Sequence, residues 1–354
     1  MIKIDNLYDE IVKYDNILKA YNKVNRGRNR YSIESKIFQK NETDNLLRIQ
    51  RKLINLEIDP VKYREFTIKV PKERLIYAPD FESKIIQIAV NNILMPKLEK
   101  ILIPDTYASI KGRGTHKAVD KIQHNMQCAK RRWGNKAYTL KLDIKKFFYS
   151  IDRDILKNIF RKYIKDERLL QLLFIITDSS NQIGEIGLPL GNTVSQLSAN
   201  LYLGELDLYL KRKYSIRYYV RYMDDIILQV ESKEKAKEVL KGAEEFLSNN
   251  LHMELNKDKS MYQKINKCIN SVGYKIWTTH KKLRENSKRT FKSILKEKDI
   301  TKFKIRIASW LGSATKSKHI ESLLNSISNI SIEKLDILKL NYFKITNKQL
   351  KLQT

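Results

Sequence analysis

The stretch that most constrains this chain is Ile216 to Val230, IRYYVRYMDDIILQV. Tyr218, Tyr219, Val220 and Tyr222 precede two adjacent carboxylates, Asp224 and Asp225, and Ile226, Ile227, Leu228 and Val230 follow them. Two runs of β-branched and aromatic residues around a short polar break predict a hairpin with the acidic pair at its tip. Adjacent carboxylates at a turn repel each other and add little to a core, so their use is electrostatic. A pair of Mg²⁺ ions, or Mn²⁺ in their place, would neutralise both.

The wider composition agrees with a polyanionic partner. The 354 residues hold 69 Lys plus Arg against 40 Asp plus Glu, a formal net charge of +29, and an excess of that size is the electrostatic footprint of nucleic-acid binding. Part of it has a blander source, because an Ile-, Lys- and Asn-heavy composition follows from an AT-rich coding sequence. Cys128 and Cys268 stand apart with no metal-ligand spacing, which predicts a reducing, cytoplasmic setting and no disulfide framework. The start MIKIDNLYDE is of mixed charge, and no apolar run reaches the roughly 18 residues a bilayer span needs, so no membrane partner is expected.

Along the chain, residues 1–50 read as helix, basic loop (Arg26, Arg28, Arg30) and helix. YREFTIKVPKERLIY, from Tyr63 to Tyr77, predicts a hairpin turning at Pro71-Lys72, with Lys69, Lys72 and Arg74 on or beside the turn. The following helix carries the apolar stripe Ile86, Ala89, Val90 and Ile93. In YASIKGRGTHKA, Gly112 and Gly114 bracket Arg113 where a helix begins at Thr115 or His116, an arrangement able to face a phosphate. AYTLKLDIKKFFYSID alternates apolar and polar residues, which predicts a half-buried strand with Thr139, Lys141 and Asp143 on its polar face. Helix then leads to a turn at Gly187, Pro189 and Gly191 and a helix marked by Val194, Leu197, Leu201 and Leu208. Past the acidic hairpin, Ser232 caps a further helix. LHMELNKDKS returns as a strand, SVGYKIW forms a hairpin in which Gly273 admits close approach of another backbone, and the chain from His280 onward reads as basic helix, with a later amphipathic helix on Ile320, Leu323, Leu324 and Ile327.

Tyr222-Met223-Asp224-Asp225 resembles the Tyr-x-Asp-Asp hairpin of the reverse transcriptases, and six stretches between residues 50 and 315 appear in that family's order. The resemblance implies an α+β right-hand polymerase with a ferredoxin-like palm, fingers and a helical thumb. Residues 1–50 are then a helical extension, 51–135 fingers, 136–280 palm with a helical insertion at 153–186, and 281–354 thumb. It further implies catalytic Asp143, Asp224 and Asp225 on two Mg²⁺ ions, with Ile144 beside them in the metal-binding set. Lys72, Arg74, Phe148, Leu190, Gly191, Gln196 and Lys259 would meet the incoming nucleotide. Arg113, Gly114, Tyr222, Gly273, Tyr274, Lys288 and Arg289 would meet nucleic acid. Partners would be an RNA template or noncoding RNA, dNTPs, the cDNA product and an accessory protein, in a prokaryotic or phage-encoded, cytoplasmic system with no room in this sequence for an RNase H, endonuclease or integrase unit.

Leu190 before Gly191 and Ser195-Gln196 after it depart from most of the family and resemble the enzymes of diversity-generating retroelements, as does ASWLGSA at 308–314, which implies low copying fidelity. Three alternatives stand beside that reading: an antiphage defence reverse transcriptase acting with a noncoding RNA, a stand-alone relative of group II intron enzymes, and a non-catalytic RNA-binding protein on a polymerase fold.

Overall fold

The computed structural model describes residues 4–68, 73–180, 184–314 and 331–350, with side chains of the last stretch as far as 343. In chain order it runs α1 (Tyr8–Ile11), α2 (Tyr14–Val24), α3 (Ile33–Lys40), α4 (Glu42–Asn55), the hairpin β1 (Tyr63–Ile68) and β2 (Arg74–Pro79), α5 (Phe81–Leu98) and α6 (Thr115–Trp133). Next come β3 (Tyr138–Asp143), α7 (Arg153–Tyr163), α8 (Glu167–Asp178), α9 (Thr193–Lys213), β4 (Tyr218–Tyr222), β5 (Asp225–Val230) and α10 (Lys233–Leu251). The chain closes with β6 (Met261–Lys264), β7 (Ile269–Ser271), β8 (Tyr274–Ile276), β9 (Lys281–Leu283), α11 (Glu285–Leu295), α12 (Ile300–Ala314) and a last helix, Ile332–Leu350.

Helix starts follow side-chain chemistry. Ser32, Asp80, Asp152, Asp166, Asn192 and Ser232 each accept a hydrogen bond from an otherwise orphaned amide at the start of α3, α5, α7, α8, α9 and α10, each cap contributing about 1 kcal/mol. Asp166 does this with one oxygen while the other accepts from the amides of Leu7 and Tyr8 at 2.8 Å, so one carboxylate starts two helices.

The chain forms two compact units. The first comprises Met1–Ile110, Asp143–Ser215 and Val239–Asp258. Its centre is α9, buried on nearly every side: Ser198, Asn200 and Asp207 lie inside together with its leucines, and Asn200 Nδ2 donates to the Ala108 carbonyl at 2.8 Å. α5 packs against α2 and α9. Its apolar stripe is Ile85, Ile86, Ala89, Val90 and Leu94, with Ile93 only half-buried. β1 and β2 pair antiparallel, Tyr63 opposite Pro79 and Ile68 opposite Arg74; the expected Pro71-Lys72 turn and Lys69 lie outside the described residues, as does the helix expected on Ile320 to Ile327.

The second unit comprises Lys111–Leu142, Ile216–Glu238 and Lys259–Thr354. Its four-stranded sheet has the order β4-β5-β3-β6, and the connectivity through β3, helices, β4, β5, helix and β6 is that of the split βαβ unit expected from the sequence. α6 packs on β4 and β5. A three-stranded antiparallel sheet, β7-β8-β9, follows. Trp310 of α12 stacks on Phe291 of α11, ring centroids 4.3 Å apart.

Three expectations are corrected. β3 is buried on both faces, with Thr139 and Lys141 enclosed along with Leu140 and Leu142; for Lys141, the Asn270 carbonyl and the Asp225 carboxylate take the place of water. LHMELNKDKS is not a strand: only Leu255 bridges, to Ile144, and β6 begins at Met261 after a turn. Lys281 and Lys282 belong to β9 and not to a helix. No helix among the described residues is long and apolar enough to cross a membrane.

Candidate active site

In the second unit, β4 and β5 pair with Tyr222 opposite Asp225, so the two residues of the connecting turn are Met223 and Asp224. Tight hairpins need a left-handed residue at the first turn position, and Met223 supplies it at φ 54°. A non-glycine residue held there stores strain, and such strain collects at functional sites. The carboxylates therefore divide: Asp224 occupies the turn, while Asp225 is the first residue of a strand.

Asp225 does not stand unattended at a solvated tip. Its Oδ1 lies 3.1 Å from Lys141 Nζ, and its Oδ2 accepts a 2.7 Å hydrogen bond from Ser271 Oγ. Lys141 Nζ donates to the Asn270 carbonyl at 2.6 Å; the lysine is 7% exposed. Neither Lys141 nor Ser271 was singled out from the sequence. The polar alternation of β3 placed Lys141 on the same face as Asp143, which was the available signal; for Ser271 there was none.

Tyr222 is half-buried and its hydroxyl lies 3.1 Å from Thr115 Oγ1, where α6 starts after Gly114, at φ 118°. The helix thus begins where the sequence predicted, with Arg113 half-buried just ahead of it. Ser271 faces Tyr274 across a two-residue turn, Val272 and Gly273, at φ 47° and 86°. A Cβ on Gly273 would meet no protein atom within 4 Å, so the outer side of this turn is open to an approaching strand. Tyr274 itself is a correction: it is 2% exposed and its hydroxyl donates to the Ser313 carbonyl, so packing occupies the side chain that was expected to meet nucleic acid. On α11, Lys288 pairs with Glu285 at 2.8 Å and Arg289 is exposed. Lys259 is exposed in the turn before β6.

In the first unit, Asp143 is the last residue of β3, buried, with its carbonyl accepting from the Asn256 amide at 2.7 Å. Ile144 follows, buried and bridged to Leu255. Phe148 lies half-buried in the turn after it, its carbonyl accepting from Leu188 N at 2.7 Å. Asp152, four residues further, would be raised by burial, but the amides of α7 and His252, 2.9 Å away, outweigh that and hold its carboxyl below the ordinary range.

The glycine turn docks on the hairpin of the same unit. Leu190 carbonyl accepts from Tyr77 N at 2.9 Å, and a Cβ on Gly191, at φ 115°, would sit 3.0 Å from both Ile76 Cγ2 and the Tyr77 carbonyl. Only glycine allows this approach. The Leu190 side chain is half-buried, Gln196 accepts from Ser109 Oγ at 3.1 Å, and Arg74 is exposed at the start of β2. Lys72 lies outside the described residues.

Asp224 and Asp143 offer hard carboxylate oxygens, the donor type that Mg²⁺ and Mn²⁺ prefer. Asp225 Oδ1 already faces the Lys141 ammonium group. Among the described residues no three His, Cys, Asp or Glu side chains form a preassembled metal cluster.

The group II intron-encoded protein LtrA of Lactococcus lactis is 25% identical over 273 residues, covering 58% of this chain and 44% of that protein. The putative COX1/OXI3 intron 2 protein of Saccharomyces cerevisiae is 26% identical over 202 residues, covering 40% of this chain and 24% of that protein. The chain thus spans less than half the length of these relatives. Among solved structures, apo telomerase of Candida tropicalis superposes with a TM-score of 0.51 at 13% identity over 82% of this chain and 58% of that one, a likeness of fold. Residues 67–276, more than half of the chain, match the family of reverse transcriptases (RNA-dependent DNA polymerases), and to that family the chain belongs.

Proposed function

We propose that the chain is an RNA-directed DNA polymerase that extends a primer along an RNA template by nucleotidyl transfer. The observation that carries this reading is the turn Met223-Asp224: a carboxylate on a strained hairpin inside the family-matched region. Asp224 and Asp143 would hold divalent metal. When bound, such ions neutralise developing charge on the transferred phosphoryl group and lower the pKa of the attacking hydroxyl.

The chain's own residues supply position. Arg74, with Lys72, binds the triphosphate; Phe148 packs beneath the sugar; the Gly187 to Gly191 turn, tied to β2 through Leu190 and Tyr77, carries the nascent pair; Gln196 lies beyond it, and Lys259 stands near the leaving pyrophosphate. The open face of the Val272-Gly273 turn, the Arg113-Gly114 helix start, Tyr222, Lys288 and Arg289 guide the nucleic acid. Residues 51–135, 136–280 and 281–354 act as fingers, palm and thumb. RNA and dNTPs are the partners, together with an accessory protein.

Within this activity, Leu190, Ser195-Gln196 and the Ser309-Trp310-Leu311-Gly312 run support a low-fidelity enzyme of the diversity-generating type. A second reading, a group II intron-like enzyme, is favoured by the similarity to LtrA.

Primer extension on an RNA template with Mg²⁺ tests the activity. Asp224→Asn and Asp143→Asn are expected to lose about a thousandfold or more, since metal-borne charge stabilisation is worth several kcal/mol and about 1.4 kcal/mol is tenfold in rate. RNA binding by both variants should stay within a few-fold of wild type. Substantial synthesis by either variant overturns the assignment.

A further inference from the structure

The two strained turns of the second unit are joined through one side chain. Asp225 opens β5 directly after the Met223-Asp224 turn, and its Oδ2 accepts from Ser271, the residue directly before the Val272-Gly273 turn. Its Oδ1 faces Lys141 of β3, which also holds the backbone of β7 through the Asn270 carbonyl. Val272 is β-branched and sits at φ 47°, a conformation that such a residue adopts only where its surroundings impose it. A carboxylate enclosed by an ammonium and a hydroxyl has its charge balanced by protein. A cation approaching that oxygen would also meet the lysine's positive charge at short range.

Building on the polymerase reading above, we propose that Asp225 is a positioning residue: with Lys141 and Ser271 it clasps the Val272-Gly273 turn to the carboxylate hairpin. It is then not a second metal ligand of the pair. Metal binding falls to Asp224, and the clasp fixes the distance between the metal-bearing turn and the turn along which the primer strand lies. The sequence reading gave both aspartates one role; the structure assigns them two.

The test uses the full chain. Mn²⁺ bound in a complex with chain-terminated primer, RNA template and dNTP is counted by electron paramagnetic resonance, and single-nucleotide incorporation gives kcat and KM separately. Asp225→Asn and Ser271→Ala should keep the wild-type number of Mn²⁺ ions, whereas Asp224→Asn should lose at least one. Ser271→Ala should lower kcat about ten- to hundredfold with KM for dNTP changed less than about twofold, the pattern of a misplaced reacting group, which at 1 Å costs on the order of a hundredfold. Ser271→Thr, which keeps the hydroxyl, should recover most of that loss, whereas a purely structural role would show no such recovery. The proposal is overturned if Asp225→Asn loses a bound Mn²⁺ as Asp224→Asn does, or if Ser271→Ala turns over like wild type. If Asp224→Asn keeps both its metal and its synthesis, it is the polymerase assignment that fails.

Discussion

Leu190 is a residue whose backbone and side chain have separate tasks. Its carbonyl is committed to Tyr77 N at 2.9 Å, and Gly191 behind it admits no Cβ, so the turn keeps its place whatever side chain stands at 190. In the proposed reading, what changes with that side chain is the surface offered to the nascent pair. A site built on hydrogen bonds rejects a misfit more sharply than apolar contact does, and Leu190 has no polar group to lose. Leu190→Gln should therefore lower misincorporation about five- to thirtyfold, the equivalent of one to two kcal/mol at about 1.4 kcal/mol per tenfold. Sequencing products copied from one RNA template by wild type and variant measures it; equal error rates would detach Leu190 from fidelity and weaken the diversity-generating reading with it. At this scale the sequence was legible where chemistry is local. Asp224 announces itself by its neighbours in the chain, and the start of α6 by Gly114. Ser271 did not, because its role is defined by a carboxylate 46 residues away; nor did the burial of Tyr274, which depends on α12.

At the level of elements, β4 and β5 were readable because strand period and turn length are properties of consecutive residues. β3 was misjudged because alternation reports polarity and not exposure; a lysine matched by Asp225 and Asn270 is buried along with the leucines. The short strand β9 was read as helix because three residues carry no period. α10 contains a feature that periodicity also hides, a glycine in mid-helix. Gly242→Ala in an exposed helix would gain about 1 kcal/mol. Here a Cβ would lie 1.8 Å from Tyr214 Oη and 2.7 Å from its Cζ, and the ring is buried, where overpacking costs about 1–3 kcal/mol. The steric cost is expected to win, giving net destabilisation of up to about 2 kcal/mol by urea unfolding. Gly242→Ala combined with Tyr214→Phe should recover part of it, since the closest contact is gone. Stabilisation by Gly242→Ala alone would mean that the ring swings aside freely.

For the whole molecule, each compact unit is assembled from three separated stretches of chain, a grouping by contacts that no consecutive reading of the sequence states. Net charge is the global property that the sequence does state outright. Of the +29, some is compositional, and many lysines are paired on the surface, Lys13 with Glu10 and Lys145 with Glu254 among them, pairs worth little to stability. Arg74, Lys259 and Arg289 are exposed as well, where phosphates can reach them. If the excess serves phosphate contacts, binding releases counterions, and log K falls with log salt by about 0.9 per contact on duplex and about 0.7 on single strands. A footprint of about six contacts predicts a loss near a thousandfold in affinity for a primer–template between about 50 and 200 mM salt. Arg289→Ala should lessen the slope by about one contact without changing sequence preference, whereas Asp224→Asn should leave the slope within about one contact of wild type, because it removes no cation. Fluorescence anisotropy at a series of salt concentrations reads all three slopes, and an affinity indifferent to salt would assign the charge to composition alone.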